Sequence, residues 1–384
     1  MQRRQFVSLA PRAAALVAAP AWVGHANAQE GGLSGKTITI GCSAALTGPL
    51  AALGKDVKAG VDAAFAQINA RGGVHGRSLQ FSVLDDGYVV QRSATNVQQM
   101  IGQGQAFAFL SCVGTPNNAA FLPMIEDAGI PYVAPLTGAS SLRKVSRNVF
   151  HVRASYSDEM RRLIQRVTGM GIKDIGFVYL DNGFGREMLD DATRFMGEAG
   201  LKLLAPAALA VDGKNLKEVV AQASQAKPAA LILATAGTVS VDLVRSIKTT
   251  LPGVLMVGMS VTLPTDSFKQ LGASGTGIAL TMVMPDPNRA KMALVREYQT
   301  AMRAKDVQEF NQGTLEAYVN ARVLAEGLER AGPDLTRTKL RSALASIRNW
   351  DLGGFTIDYP AQAPFAGSRF VELGVLNASG RLMG

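Results

Sequence analysis

The segment AFAFLSCVGTPNNAAFLPMIEDAGIPYVAPLTGASS, Ala106 to Ser141, decides the fold. Ala106 to Ser111 is a short apolar run suited to a strand covered on both faces, and Val113 to Asn118 interrupts it with Gly114, Pro116 and two asparagines. A helix is predicted next, with Ala119, Leu122, Met124, Ile125 and Ala128 on its apolar side and Gly129 at its end. Ile130 to Ala134 reads as a second strand, closed by Pro135. Two loops therefore leave one sheet edge, each with small residues and a hydroxyl, Thr115 in the first and Thr137 in the second. Open parallel sheets bind ligands beyond the carboxyl ends of their strands. The two loops are thus either a polar cradle for a small molecule or two ordinary connections.

Upstream, Thr37 to Cys42 is a strand, Ala44 to Gly54 a loop opening a helix that runs to about Ala70, and Leu79 to Leu84 a strand ending in Asp85-Asp86. A helix over Ala94 to Ile101 leads back to the opening segment. The order βαβαβαβ, with crossovers of helix length, implies a parallel sheet wrapped by helices. Near Val149 to Tyr156 the rhythm restarts, with strands at Ile175 to Tyr179, Leu201 to Ala207, Ala229 to Ala234 and Val254 to Gly258 between helices. After Ile278 to Met284, helical patterns cover Lys291 to Ala304 and Thr314 to Ala331, and Gly353 to Ile357 and Phe370 to Leu376 are β-like. A chain of 384 residues is long enough for two cores.

Met1 to Ala28 has a basic start, an apolar stretch from Ala13 to Val23 and a small-residue cleavage site at Ala26-Asn27-Ala28, which predicts a signal peptide and a periplasmic protein. Arg3-Arg4 and the weakly apolar stretch resemble a twin-arginine leader. No other segment reaches the ~18 to 20 uninterrupted apolar residues of a membrane span. The formal net charge of +9 falls to +6 once Arg3, Arg4 and Arg12 of the leader are set aside, and no Lys/Arg block stands out, which argues against nucleic acid as a partner. Cys42 and Cys112 sit at strand ends; an oxidising compartment permits a bridge, and buried free thiols are the alternative. His75 and His151 share no ligand spacing with them, so no metal site is expected, and no cofactor motif is complete.

ITIGCSAALTGPLAALG, AFAQINARGGVHGRSLQFSVLDD, GTPNNAAFLPMIEDAGIPYVAP, VRASYSDE and YLDNGFGREML together resemble the leucine/isoleucine/valine-binding family of periplasmic solute receptors over nearly the whole mature chain. The resemblance implies an α/β fold of the type I periplasmic binding protein: two Rossmann-like lobes with parallel sheets, joined by a hinge of three crossings near Val152 to Tyr156, Thr281 to Pro285 and Phe370 to Leu373. It implies residues 34–155 plus 284–370 in lobe 1 and 156–283 plus 371–384 in lobe 2. It also implies the solute-binding component of an ABC importer, with permease subunits in the inner membrane as partners and an amino acid, amide or organic acid as ligand.

Carried over residue by residue, the resemblance gives Thr115, Asn117 and the neighbouring Asn118 as a carboxylate grip at a helix start, where backbone N–H groups favour negative charge. Leu136, Thr137 and Gly138 form the second grip. Phe184, Tyr156 and Gly237 border the ligand from the second lobe and the crossing, and Leu53 stands where an aromatic is frequent. Ser260 occupies the position of the acid that holds a ligand ammonium. A desolvated ammonium without a counter-charge is costly, so the ligand either lacks an α-amino group or finds its partner in Asp181 or Glu316.

Enzymatic readings fare worse. No Gly-x-Ser-x-Gly elbow occurs, the Gly31 to Thr37 stretch lacks the spacing and preceding strand of a phosphate loop, and His151 reads as buried core. Asp85-Asp86 reads as a solvated or helix-capping pair rather than a metal site. The remaining alternative is a receptor of the same fold that senses its ligand for a membrane signalling protein.

Overall fold

The computed structural model describes residues 30–143, 146–263 and 266–384; the leader expected at 1–28 lies outside them. Alternating strands and helices build two sheets. The first runs, edge to edge, Phe365–Ala366, Val149–His151, Tyr132–Val133, Ala108–Leu110, Thr37–Ala44 and Ser78–Asp85, every neighbouring pair parallel. The second runs Leu382–Met383, Glu372–Leu376, Ala279–Met282, Leu255–Gly258, Ala230–Ala234, Ile175–Leu180 and Leu204–Leu209. Only the two strands nearest the chain end pair antiparallel there. Central strands such as Ala230–Ala234 are buried at every residue, as a parallel sheet covered on both faces requires.

Each sheet has its own apolar core. The chain passes from the first sheet to the second after His151, returns after Met282 and crosses again between Ala366 and Glu372. The first crossing is fixed by a capping box: the Ser155 side chain accepts from Asp158 N (3.0 Å), and the Asp158 side chain accepts from Ser155 N (3.1 Å). The helix that follows, Tyr156–Gly169, belongs to the second core.

The opening segment departs locally from its sequence reading. Strands occupy only Ala108–Leu110 and Tyr132–Val133, because Ser111 (φ 53°) and Ala134 (φ 50°) turn left-handed at the two strand ends. The strands resume as a single bridge between Val113 and Leu136. The expected loop Val113 to Asn118 is helical from Thr115, since a proline is tolerated in a first turn, where its missing N–H is no loss. Helices Asp266–Leu271 and Arg337–Ala345 and the small hairpin Trp350–Asp351/Thr356–Ile357 complete the chain. Among the described residues no helix is long and apolar enough to cross a membrane.

Candidate functional site

The paired left-handed turns bring the two predicted grips together. Thr115 and Thr137 share a hydrogen bond between hydroxyls (2.7 Å), both buried, and Thr137 Oγ1 also accepts from Ala139 N (3.2 Å). Non-glycine residues at positive φ are strained and persist where the surroundings impose them; here the Ser111 hydroxyl is held by Asn320 Nδ2 (3.0 Å). Asn118, expected to help grip a carboxylate, is committed to the scaffold instead. Its Nδ2 donates to the carbonyls of Cys112 and Gly114, and its Oδ1 accepts from the Tyr132 hydroxyl. Asn117 is fully buried, and neither of its amide atoms has a partner among the described residues.

Gly138 lies so close to the first crossing that a Cβ would stand 2.6 Å from Tyr156 N, whose N–H donates to the Gly138 carbonyl (2.8 Å). Tyr156 meets Phe184 edge to face at 4.9 Å between ring centroids. Thr115, Thr137, Gly138, Tyr156 and Phe184 thus form one continuous corner between the lobes. Gly237 stands apart from it. With φ 79°, it packs on the turn after the first strand, where a Cβ would lie 2.6 Å from the Pro49 carbonyl. Next to it, Thr238 N donates to Pro49 O (3.1 Å), and Leu50 of the first lobe is buried in the second lobe's core.

The other corner is charged. Arg153, in the first crossing, is 1% exposed and lies over the Tyr156 ring at 5.0 Å. Its Nη2 donates to Glu159 Oε1 (2.9 Å) and to Ser260 Oγ, and its Nη1 stands 3.4 Å from Glu316 Oε1. Glu159 also accepts from Ser260 N (2.9 Å), Ser260 Oγ (3.2 Å) and Thr281 Oγ1, so its carboxylate is fully engaged. An acid does occupy the Ser260 corner, therefore, but it is spent on Arg153. Although burial works downward on the Arg153 guanidinium, Glu316, Tyr156 and Glu159 hold its pKa above the ordinary value. Asp181 takes no part, being paired on the surface with Arg186 (2.7 Å).

Between the lobes lies a cavity of about 410 Å³. Leu53, Leu136, Arg153 and Glu316 face it from the first lobe's side, and Ser260, Phe268 and Thr281 from the second. Asp56 lines it too; its Oδ1 accepts from Asn311 Nδ2 (3.0 Å), and burial, reinforced by Asp266, pushes its pKa up to about 6 against that bond. Of the expected site residues, Leu136, Ser260 and Glu316 line this cavity. Thr115, Asn117, Thr137, Gly138, Tyr156, Phe184 and Gly237 do not, although Thr137 directly follows Leu136 in the second loop and bonds Thr115.

Sequence reasoning missed Arg153, Glu159 and Asp56. A usable signal was present for Glu159, which falls on the apolar face of its helix with Tyr156, Met160 and Leu163. Asp86 is buried while Asp85 keeps part of its surface in solvent, and neither caps a helix, the next helix being capped by Val89. Asp85 gathers Leu46 N, Gly87 N and the N–H and hydroxyl of Thr47; burial works upward on its pKa, and these donors, the Thr47 hydroxyl first among them, together outweigh it and lower it to about 2. Asp86 accepts from Ser43 Oγ (2.8 Å) and Tyr88 N (2.8 Å). Cys42 and Cys112 are free and buried, and burial raises the Cys42 thiol pKa. Among the described residues no cluster of three His, Cys, Asp or Glu stands ready for a metal ion.

Residues 37–363 match the periplasmic binding protein family. The chain is 23% identical over 300 residues to the Leu/Ile/Val-binding protein homolog 3 of Brucella melitensis, covering 77% of this chain and 79% of that one. Among solved structures it superimposes on a substrate-binding periplasmic protein from Ralstonia solanacearum with a TM-score of 0.81 at 29% identity, covering 90% of this chain and 99% of that one. A possible leucine/isoleucine/valine-binding protein from Rhodopirellula baltica gives a TM-score of 0.85 at 25% identity, covering 94% and 98%. The family and these neighbours are substrate-binding proteins, not enzymes.

Proposed function

The chain belongs to the periplasmic binding protein family, and on that premise we propose that it is the extracytoplasmic solute-binding component of an ABC importer. It captures a small amino acid, or a related carboxylate or amide, between two lobes by hinge closure. The observation that carries this reading is the cavity of about 410 Å³ walled by both lobes and lined by buried polar groups, Arg153, Thr281 and Glu316, together with apolar side chains such as Leu53, Leu136 and Phe268. Such a pocket is wet until the lobes meet, so a ligand that touches both faces favours the closed arrangement. The relatives named for leucine, isoleucine and valine support an amino acid or a close analogue as cargo.

The bodies that move are residues 34–155 with 284–370 and residues 156–283 with 371–384. Leu136, Ser260 and Glu316 face the ligand from the cavity wall, and Thr115, Asn117, Thr137, Gly138, Tyr156 and Phe184, in the adjoining corner between the lobes, hold its polar head and cover its body on closure. Gly237 serves closure. The partner is the permease of the importer in the inner membrane, and the leader directs export to the periplasm, by the twin-arginine route.

Purified mature protein, screened by thermal melting and calorimetry against amino acids, amides and organic acids, tests this. A true ligand at ~100 times its dissociation constant adds about 2.7 kcal/mol of stability. It also contracts the scattering profile if the free lobes open. The Thr115→Val/Thr137→Val variant is expected to keep its fold and bind the same ligand more weakly; undiminished affinity removes the proposed head-group site.

A further inference from the structure

Three of the five large apolar side chains left exposed among the described residues gather at one end of the second sheet: Met170 (54%), Val375 (47%) and Met383 (44%). Antiparallel register sets Val375 opposite both Ala279 and Met383, and Ala279 in turn stands opposite Val257 in the neighbouring parallel pair. Side chains alternate across a strand, so Val257, Ala279, Val375 and Met383 form one apolar row over four strands. The other face of these strands is the covered one. Leu280 and Leu376 belong to the second core, and a Cβ on Gly275 would stand 2.7 Å from Leu376 Cδ2. The row is therefore a sheet face left open at its Val375 end, and contiguous apolar surface of this kind marks interaction sites.

The helix Tyr156–Gly169 borders this face. It reaches the sheet through Glu159, which accepts from Ser260 N and Thr281 Oγ1. Its flank, Arg162 and Arg166 with Met170 just past its end, lines a groove of about 580 Å³ together with Leu255, Ala279 and Val375. Positions four apart share one helical face, so the two guanidiniums and Met170 make a single wall. Arg289, from the turn after the second crossing, lines the groove as well. None of these three arginines makes an ion pair or a side-chain hydrogen bond among the described residues, whereas Arg161 and Arg194 of the same lobe both pair with Glu198. The acids at the groove are Glu372 and, where Gly384 ends the chain, its carboxylate. Positive charge prevails, and the helix wall carries only positive charge.

We propose that this trough docks one amphipathic helix of another polypeptide, apolar toward the strands and acidic toward Arg162 and Arg166. A helix with its side chains is about 10–12 Å across, the width of about two or three strands set about 4.8 Å apart. The strands Ala279–Met282, Glu372–Leu376 and Leu382–Met383 offer that width beside Tyr156–Gly169, and a helix laid there continues the helical layer. Other occupants match less well. The leader, with Arg3, Arg4 and Arg12, has the wrong sign. A second copy paired about a two-fold axis would seat its own Tyr156–Gly169 helix in the trough and set the two arginine rows against each other. A bilayer is flat, whereas the apolar row lies at the foot of a helical wall. Arg162, Arg166 and Val375 line no part of the cavity between the lobes, so docking here is separate from solute capture.

The test uses two labelled synthetic helical peptides of about four turns with the same leucine stripe, one flanked by glutamates and the other by lysines, titrated into the mature protein by fluorescence anisotropy at low salt. The glutamate peptide is expected to bind about tenfold or more tighter than the lysine peptide, and added salt to narrow the gap, as for exposed charges. In the Arg162→Glu/Arg166→Glu variant the preference should reverse, and in Val375→Asp both peptides should lose about tenfold or more. Both variants change exposed side chains, so their melting temperatures should match the wild type; Val375→Ser serves in place of Val375→Asp if that one melts early. Hydrogen exchange should slow at Glu372–Leu376 when the glutamate peptide is bound. Absence of binding, equal binding of the two peptides, or affinity that survives in Val375→Asp overturns the proposal. Two further outcomes also overturn it by naming another occupant: phosphatidylglycerol vesicles that bind the wild type but not Val375→Asp, or a dimer in light scattering that Val375→Asp abolishes.

Discussion

Two corners of the same cleft satisfy their buried polar groups by opposite means. Thr115 and Thr137 meet across adjacent strand ends, uncharged, each hydroxyl supplying what the other lacks. Arg153, Glu159, Glu316 and Ser260 come from both lobes and from positions far apart in the chain, and they leave one carboxylate underfilled. The neutral corner is a local product of two loops and is cheap to maintain. The charged corner is a long-range product, and the structure must hold several segments in place for it to exist.

The largest expected effect lies in the charged corner. Arg153→Met leaves Glu159 and Glu316 buried without a counter-ion and should lower stability by about 3–5 kcal/mol in urea unfolding. Replacing Arg153 and Glu159 together by apolar residues should recover a good part of that loss; an equal or greater loss would show that the pair stabilises in its own right. Next in size is Gly237→Ala, which combines positive φ with a clash on the Pro49 carbonyl. It is expected to weaken ligand binding by roughly 1–3 kcal/mol, read by calorimetry, with an unchanged first-lobe core.

Asp56 carries the pH dependence. Its pKa is raised from 3.8 to about 6, so the folded ligand-free protein holds this proton more tightly than the unfolded chain. The favourable contribution is fully present below pH 3.8 and is lost as pH rises through about 6. Asp56→Asn should therefore stabilise the ligand-free protein at pH 7.5 by about 2–3 kcal/mol, measured by urea unfolding, and should have no such effect near pH 3.5. The smallest effect belongs to the neutral corner. Thr115→Val alone should cost about 1 kcal/mol in urea unfolding, and adding Thr137→Val should cost little more, because the hydroxyls chiefly serve each other. A double variant much worse than the single one would mean that this corner, too, is held by long-range partners.

The alternation of strands and helices was legible because each element carries its own periodicity, and buried parallel strands such as Ile175–Leu180 are nearly continuous apolar runs. The two threonines were legible because Thr115 and Thr137 both follow strands of the same short segment. Arg153 was hidden by its surroundings: in VRASYSDE it reads as the charged approach to a capped helix, and only the fold shows Ser260 and Glu316 arriving beside it. Asn118 misled for a related reason. A helix-start amide looks free in sequence, but Tyr132 hydroxyl and two carbonyls take it up once the strands are paired. The short strand Phe365–Ala366 has no periodicity to find, and its place beside Val149–His151 is fixed by the stacking of Phe365 on Phe150 at 4.7 Å.

Leu50 has a consequence that reaches beyond the cavity. It leaves the first lobe to sit inside the apolar interior of the second, and the adjoining Pro49 carbonyl is satisfied by Thr238 N. Neither residue lines the cavity. If the lobes close on a solute as proposed, part of the drive to shut is thus independent of cargo. The strength of capture can drift through substitutions at this remote clasp while every side chain that reads the solute stays the same, so relatives with identical linings need not share a dissociation constant.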